Sequence, residues 1–228
     1  MGGPSVVAYP PPMLTRLDDG LYTMTAPLRF FGIEVGTRMT VLQLDGGLLL
    51  HSPLDVPAEA LGELGEARWV LAPNKLHHLF VGPWLERGAE GWAAPGLAKK
   101  RSDLSFAGEV TEDTQPFGDE VQLIPTRSFP FANEVALLHR PSRTLVLTDL
   151  VFNIPSTAPW LTRTAMWCAC GHPGCRSTIL ERTLMNRAIA GDEIAGLLEL
   201  DFDRLVMSHG EVVETDGKAA LENAYRWL

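Results

Sequence analysis

Apolar and polar side chains alternate with period two through YTMTAP (residues 22–27) and TRMTVLQL (37–44), and β-branched residues crowd the second. Both are predicted to be strands with one face turned to a core. Asp45-Gly46-Gly47 then supplies a hairpin turn before the apolar run LLLHS (48–52). VPAEALGELGEA (56–67) carries helix formers at helical spacing, and RWVLAP (68–73) is a short buried strand ending just before two adjacent histidines. GPWLERG (82–88) reads as a short helix, EGWAAPGLAKKRSDL (90–104) as a strand running into a loop, and 109–118 as a polar, turn-rich connection. DEVQLIPT (119–126) is a strand. NEVALLHRPSRTLVLTDL (133–150) is a hairpin in which EVALL and TLVLTDL flank the turn His139–Arg143. Residues 160–200 are predicted to be mainly helical, FDRLVMSHG (202–210) a last buried strand, and GKAALENAYRWL (217–228) a closing helix. Strands fill the first two thirds and helices gather late, an order that suits sheets covered by helices on their outer faces better than a repeating βαβ wheel.

Four of these apolar runs end in a polar side chain: His51, the pair His77-His78, Asp149 and His209. Strand ends meet at one edge of a sheet, where loops build sites, and imidazole with carboxylate is a donor set for zinc, iron or manganese. Neighbours on a strand point to opposite faces, so one member of the His77-His78 pair is expected to do no chemistry. A carboxylate such as Asp149, set between apolar runs, is costly to bury unpaired. His51, before Ser52-Pro53, also fits a turn, and His139 in its basic hairpin turn is expected in solvent.

The chain has 228 residues and a net charge of −9. That length fits a single domain over 20–228 behind a proline-broken N-terminal arm over 1–19. The negative balance argues against a nucleic-acid or anionic-membrane surface, and the one basic run, KKR at 99–101, is too short to reverse it. No stretch reaches the roughly 18 apolar residues of a membrane span. The arm lacks the basic start of a signal peptide. All three cysteines fall within eight residues, CACGHPGC, which is no secretory disulfide framework; a reducing, cytoplasmic compartment is expected. The same loop brings Cys168, Cys170, His172 and Cys175 close in sequence. They are a tetrahedral zinc set by type, in a loop so short that wrapping one ion would strain it; a redox-labile pair and an inert loop are the other readings.

The order of these elements resembles the metallo-β-lactamase superfamily, and within it an uncharacterised, mostly bacterial branch with an altered metal motif. The resemblance is carried by FFGIEVGTRMTVLQLDGGLLLHSP, WVLAPNKLHHLFVGPW, NEVALLHRPSRTLVLTDLVFNI and FDRLVMSHGEVV. It implies an α+β fold: an αββα sandwich of two mixed sheets with helices outside and a metal site at one sheet edge. The family's His-x-His-x-Asp-His signature falls on Pro73-Asn74-Lys75-Leu76-His77-His78. His78 then matches the terminal histidine and His77 stands at the aspartate, while both spaced histidines are missing. The region of the family's Gly-His-Thr turn, Phe131-Ala132-Asn133-Glu134, has no histidine; Asp149 matches the bridging aspartate and His209 the last histidine.

The resemblance therefore implies at most one metal ion (zinc, iron or manganese) held by His77 or His78, Asp149 and His209, with His51 or Glu134 as a fourth ligand, or no metal. It further implies hydrolysis of a small ester, lactone or thioester. Of the pair, His78 is expected to face the cleft as a ligand; His77 and Asp149 are assigned catalytic roles, and Glu134, Asn74 and Trp84 substrate binding. The alternative is a non-hydrolytic or catalytically silent relative in which Trp84, Trp92, Trp160 and Phe129 enclose a small ligand. His77 and Asp149 as a purely structural pair is the third reading. A small molecule is the expected partner in each functional case, with a homodimer compatible with all.

Overall fold

The computed structural model describes residues 13–30 and 32–228. In chain order the elements are β1 (Leu14–Asp18), β2 (Leu21–Ala26), β3 (Arg29–Phe30), β4 (Ile33–Glu34), β5 (Thr37–Leu44), β6 (Gly47–His51), β7 (Ala67–Ala72), α1 (Val81–Glu86), β8 (Glu90–Ala93), α2 (Leu97–Lys100) and β9 (Gly108–Glu109). There follow β10 (Val121–Pro125), β11 (Val135–His139), β12 (Thr144–Val146), α3 (Trp160–Cys168), α4 (Ile179–Leu184), α5 (Arg187–Glu199), β13 (Arg204–Val206) and α6 (Gly217–Tyr225). One sheet has the order β1-β2-β5-β6-β7-β8-β9 and the other β10-β11-β12-β13, while β3 and β4 form a separate small hairpin. Each large sheet is antiparallel at its start and turns parallel, at β6/β7 in the first and β12/β13 in the second.

The alternation read in the sequence becomes three apolar layers. Leu42 of β5, Leu49 of β6 and Leu71 of β7 face Leu123, Val135, Leu137, Val146 and Val206 of the second sheet, closing the space between the sheets. The intervening residues Met39, Val41, Leu48, Leu50 and Val70 point outward and are covered by Val81 and Trp84 of α1 and by Leu97 of α2. On the other side Ala136, Leu138, Leu145 and Leu205 pack beneath Ile194 and Leu197 of α5 and Leu221 and Ala224 of α6. This is the expected αββα sandwich of two mixed sheets.

Four local expectations differ from the structure. The arm ends earlier than residue 19, because Leu14–Asp18 pairs with β2 as an edge strand; residues 1–12 lie outside the described residues. The segment VPAEALGELGEA does not make an α-helix. It forms a 3-10 stretch, Ala58–Leu64, broken where Gly62 takes φ 61°, outside the helical region. The loop expected after β8 contains the helical turn α2. His139 is not in solvent: it ends β11, buried, with Nδ1 2.7 Å from Ser142 Oγ, so the hairpin turn is tighter than the sequence suggested. Among the described residues, no helix is long and apolar enough to cross a membrane.

Candidate metal centre

The parallel pairs β6/β7 and β12/β13 place four strand ends at one edge of the sandwich, two from each sheet. Past β7 the chain turns at Asn74, whose Oδ1 accepts the backbone N–H groups of Leu76 and His77, both at 2.7 Å. The histidine pair therefore sits in a turn rather than on a strand, and strand alternation does not decide which imidazole faces inward. The structure brings in His77. His78 is directed away, its Nδ1 accepting from Arg101 Nη1 at 2.9 Å. Burial, with Lys100 and Arg101 nearby, lowers its pKa. The expected placement of His78 as the cleft-facing ligand is thus corrected to His77.

His77 Nε2, His209 Nε2 and Asp149 Oδ1 converge. The separations are 3.3 Å between the two nitrogens, 3.4 Å from His77 to Asp149 and 3.2 Å from His209 to Asp149. The far side of each group is fixed. His209 Nδ1 donates to the Gly36 carbonyl at 2.7 Å, which leaves Nε2 as the nitrogen turned to the centre. His77 Nδ1 is 2.7 Å from Ser52 Oγ. Asp149 Oδ2 accepts from Asn74 Nδ2 at 2.7 Å, and the same amide reaches Thr148 Oγ1 at 2.8 Å and Glu134 Oε2 at 3.3 Å. Glu134 in turn accepts the backbone N–H of Thr148 at 2.6 Å and of Asp149 at 2.7 Å, pinning the turn that presents Asp149.

His209 is held as firmly. Arg38, on the inter-sheet face of β5, donates to the carbonyls of Met207 and Gly210, while the Phe152 ring stacks on the imidazole at 5.1 Å and 9°. Gly210 has φ +100°, and a Cβ there would lie 2.0 Å from the Asn153 carbonyl oxygen, so only glycine lets the chain pass.

Charge follows this geometry. Burial alone would raise the Asp149 pKa, but the two imidazoles hold its carboxyl well below the usual range. Burial alone disfavours the His77 cation, and the Asp149 carboxylate with Glu134 behind it outweighs that and raises its pKa. Glu134 is raised by burial and by the neighbouring Asp149 charge, with the backbone N–H groups opposing. His51 lies deeper on the inter-sheet face, and among the described residues neither of its ring nitrogens has a partner. Burial and the His77 charge push its pKa down to about 3.

Ring-nitrogen lone pairs and a carboxylate oxygen facing one another repel unless positive charge lies between them. The raised pKa of His77 favours a proton there in the bare protein. The donor set also fits an ion: tetrahedral zinc with bonds of about 2.0–2.1 Å requires ligand atoms about 3.3–3.4 Å apart, the spacing found here. Outer hydrogen bonds on both histidines and on the carboxylate complete the arrangement that orients metal ligands. His77, Asp149 and His209 could hold one metal ion.

The other sequence candidates fall elsewhere. His51 is not part of the converging group. Asn74 and Glu134 are completely buried, so they support Asp149 and do not line a substrate cleft. Trp84 is a core residue, its Nε1 donating to the Leu54 carbonyl at 2.9 Å, and Phe129 is likewise buried. Trp92 packs against the inter-sheet core; Trp160 alone of the four proposed ligand-enclosing aromatics is exposed. The cysteine loop does not close on an ion. Cys168 is exposed, and Cys175 is buried in the core with its thiol pushed up to about 12. His172 Nδ1 contacts the Ile154 carbonyl at 3.2 Å. Among the described residues no second group of metal donors converges.

Sequence reading missed Ser52, Arg38, Gly36 and Phe152. Arg38 left one signal, a cation on the apolar face of an alternating strand. Ser52 left none, since a residue before proline is expected to be extended whereas Ser52 takes φ 53°.

No family model matches the chain, and no curated protein matches it. Solved structures do. A metallo-β-lactamase from Pontibacter korlensis shares 14% identity, covering 93% of this chain and 99% of that one, at a TM-score of 0.64. A metallo-β-lactamase from Erythrobacter litoralis, with β-mercaptoethanol in its active site, shares 11% over 94% and 96%, at 0.68. The metallo-β-lactamase FIM-1 from Pseudomonas aeruginosa, solved in a mono-zinc form, shares 10% over 95% and 96%, at 0.67. At these identities the likeness establishes the fold: the chain has the metallo-β-lactamase fold.

Proposed function

We propose that the protein is a mononuclear metal-dependent hydrolase of a small ester, lactone or thioester. The observation that carries this reading is the convergence of three potential ligand atoms, His77 Nε2, Asp149 Oδ1 and His209 Nε2, at 3.2–3.4 Å, each residue fixed from behind. These residues would hold zinc, iron or manganese. When bound, such an ion lowers the pKa of a coordinated water and polarises a carbonyl. The chain's own part is orientation. Ser52 and Gly36 aim the two imidazoles, Asn74 occupies Asp149 Oδ2 so that Oδ1 is the oxygen presented, and Phe152 shields one face of His209. With both carboxylate oxygens engaged, Asp149 serves as ligand rather than as base. Three unpaired cysteines, one of them buried, support the reading that the protein works in a reducing, cytoplasmic setting.

The burial of Asn74 and Glu134 favours a second reading, a silent or non-hydrolytic relative, because side chains sealed beneath the site contribute nothing to a substrate. Metal content separates the two. Protein purified without added metal should carry about one equivalent, and should hydrolyse some member of an ester, lactone and thioester panel. Chelation should abolish turnover and metal return should restore it. Metal-free protein that takes up no zinc, iron or manganese would overturn the proposal.

A further inference from the structure

Helix α3 carries its large aromatics on the wrong face for a helix of a packed domain. Thr162 and Met166 are its buried residues. Trp160, Arg163, Thr164 and Trp167, at i, i+3, i+4 and i+7, form the stripe that would ordinarily face a core, yet Trp160 is 71% exposed and Trp167 66%. With His172 from the cysteine loop they line an open cavity of about 260 Å³. Its wall contains one cation and no carboxylate, in a chain of net charge −9. Arg163 makes no side-chain hydrogen bond or ion pair among the described residues, and its Nε is sealed from solvent without a partner. A buried unpaired donor is costly, and two indoles held in water forgo burial worth about 2 kcal/mol or more apiece.

We propose that this cavity binds a small anion, a monocyclic aromatic acid, with its ring against the indoles and its carboxylate on Arg163. Two helical turns separate the tryptophans by about 10 Å along the axis, room for one ring, with Arg163 and Thr164 between them. An aromatic carboxylate suits the groups that face the cavity: the terminal nitrogens of the Arg163 guanidinium gain a charge-assisted bond, Thr164 can donate to the second oxygen, and the indoles gain stacking area. The volume lies below the usual range for ligand pockets, which limits the ligand to a single ring. The cavity is tied to the metal-site side of the fold: His172 is anchored on Ile154, and Phe152, two residues earlier, stacks on His209. The proposal stands on the cavity alone and does not require the metal.

The test uses the full chain labelled with nitrogen-15 on its tryptophans, and phenylacetate as probe. The indole N–H signals of Trp160 and Trp167 should shift saturably with a Kd of about 1 mM or tighter. Neutral phenylacetamide should bind about tenfold more weakly, and acetate should leave both signals in place. Arg163→Met, which keeps the apolar stem, should reduce phenylacetate to the level of the amide while the other indole signals stay where they are. Chelator-treated protein should behave identically, so failure of the metal reading leaves this result standing. Equal binding of acid and amide, indifference to Arg163→Met, or no saturable shift by about 10 mM probe would overturn the proposal. So would signals that respond to protein concentration rather than to probe, since a second copy would then cover the face.

Discussion

Two regions compete as metal sites, and the one richer in ligands locally is the one that fails. CACGHPGC packs four soft or borderline donors into eight residues, yet one thiol lies in solvent, another in the core, and the imidazole on a backbone carbonyl. His77, Asp149 and His209 are separated by up to 132 positions and bring their donor atoms within 3.4 Å of one another. The difference lies in what stands behind the donors. His77, Asp149 and His209 are each fixed by a hydrogen bond on the side away from the centre, whereas among the described residues the loop's thiols have none. Convergence supplied by rigid elements, rather than density along the chain, makes a site.

The largest effect that tests this contrast is on metal content. His209→Ala should take bound metal from about one equivalent to near zero and lower turnover at least about a hundredfold. A triple change of Cys168→Ser, Cys170→Ser and His172→Ala should leave the metal content as it was. Elemental analysis of both proteins decides it, and the opposite pattern would move the centre to the loop.

Next is the support of Asp149. Glu134→Ala removes the acceptor for two buried backbone N–H groups and a contact of the Asn74 amide, and should cost about 3–5 kcal/mol in urea unfolding. Cys168→Ser, at an exposed position, should stay within about 0.5 kcal/mol. Equal costs would mean that the two regions are built with the same rigidity.

The helix that follows the cysteine loop has an anchor of its own, which titrates. Glu181 closes a capping box with Thr178 at the start of α4, and burial pushes its pKa up from 4.5 to about 7. Below pH 4.5 folded and unfolded chains both hold the proton. Between 4.5 and about 7 the folded chain alone keeps it, so this group's contribution to stability falls as pH rises through that window and stays low above it. Glu181→Gln keeps an acceptor for Thr178 and should remove that slope, leaving the variant more stable than the parent at pH 8 by about 3 kcal/mol. An unchanged slope would assign it to other groups.

The layers were legible in the sequence because alternation in β5 and the apolar runs of β6, β7 and β13 state directly which residues are buried. Asp149 and His209 were legible for the same reason, as polar residues where apolar runs stop. The choice between His77 and His78 was not. It depends on Asn74 Oδ1 gathering two backbone N–H groups into a turn, and a one-residue change of phase there exchanges the two imidazoles. Asn74 and Glu134 drew notice as polar residues near a site, but their role requires contacts across 74 and 14 positions, to Thr148, that no local pattern records. Nor could spacing show that Trp160 and Trp167 face outward, since i and i+7 is the spacing of a buried stripe.

Ser52 offers the finest probe of the comparison, because it acts on the centre only through His77. Removing its hydroxyl frees His77 Nδ1 and with it the choice of tautomer, so Ser52→Ala should weaken metal binding about tenfold to a hundredfold. Backbone strain is a competing cause, since Ser52 takes a left-handed φ of 53°, where alanine is disfavoured by about 1 kcal/mol relative to glycine. Ser52→Gly separates the two. It should be more stable than Ser52→Ala by about that amount in urea unfolding, yet lose metal affinity to the same extent in a competitive chelator titration. If affinity instead tracks stability across the two variants, the hydroxyl does not aim the imidazole, and the support behind His77 reduces to Asn74's hold on its backbone.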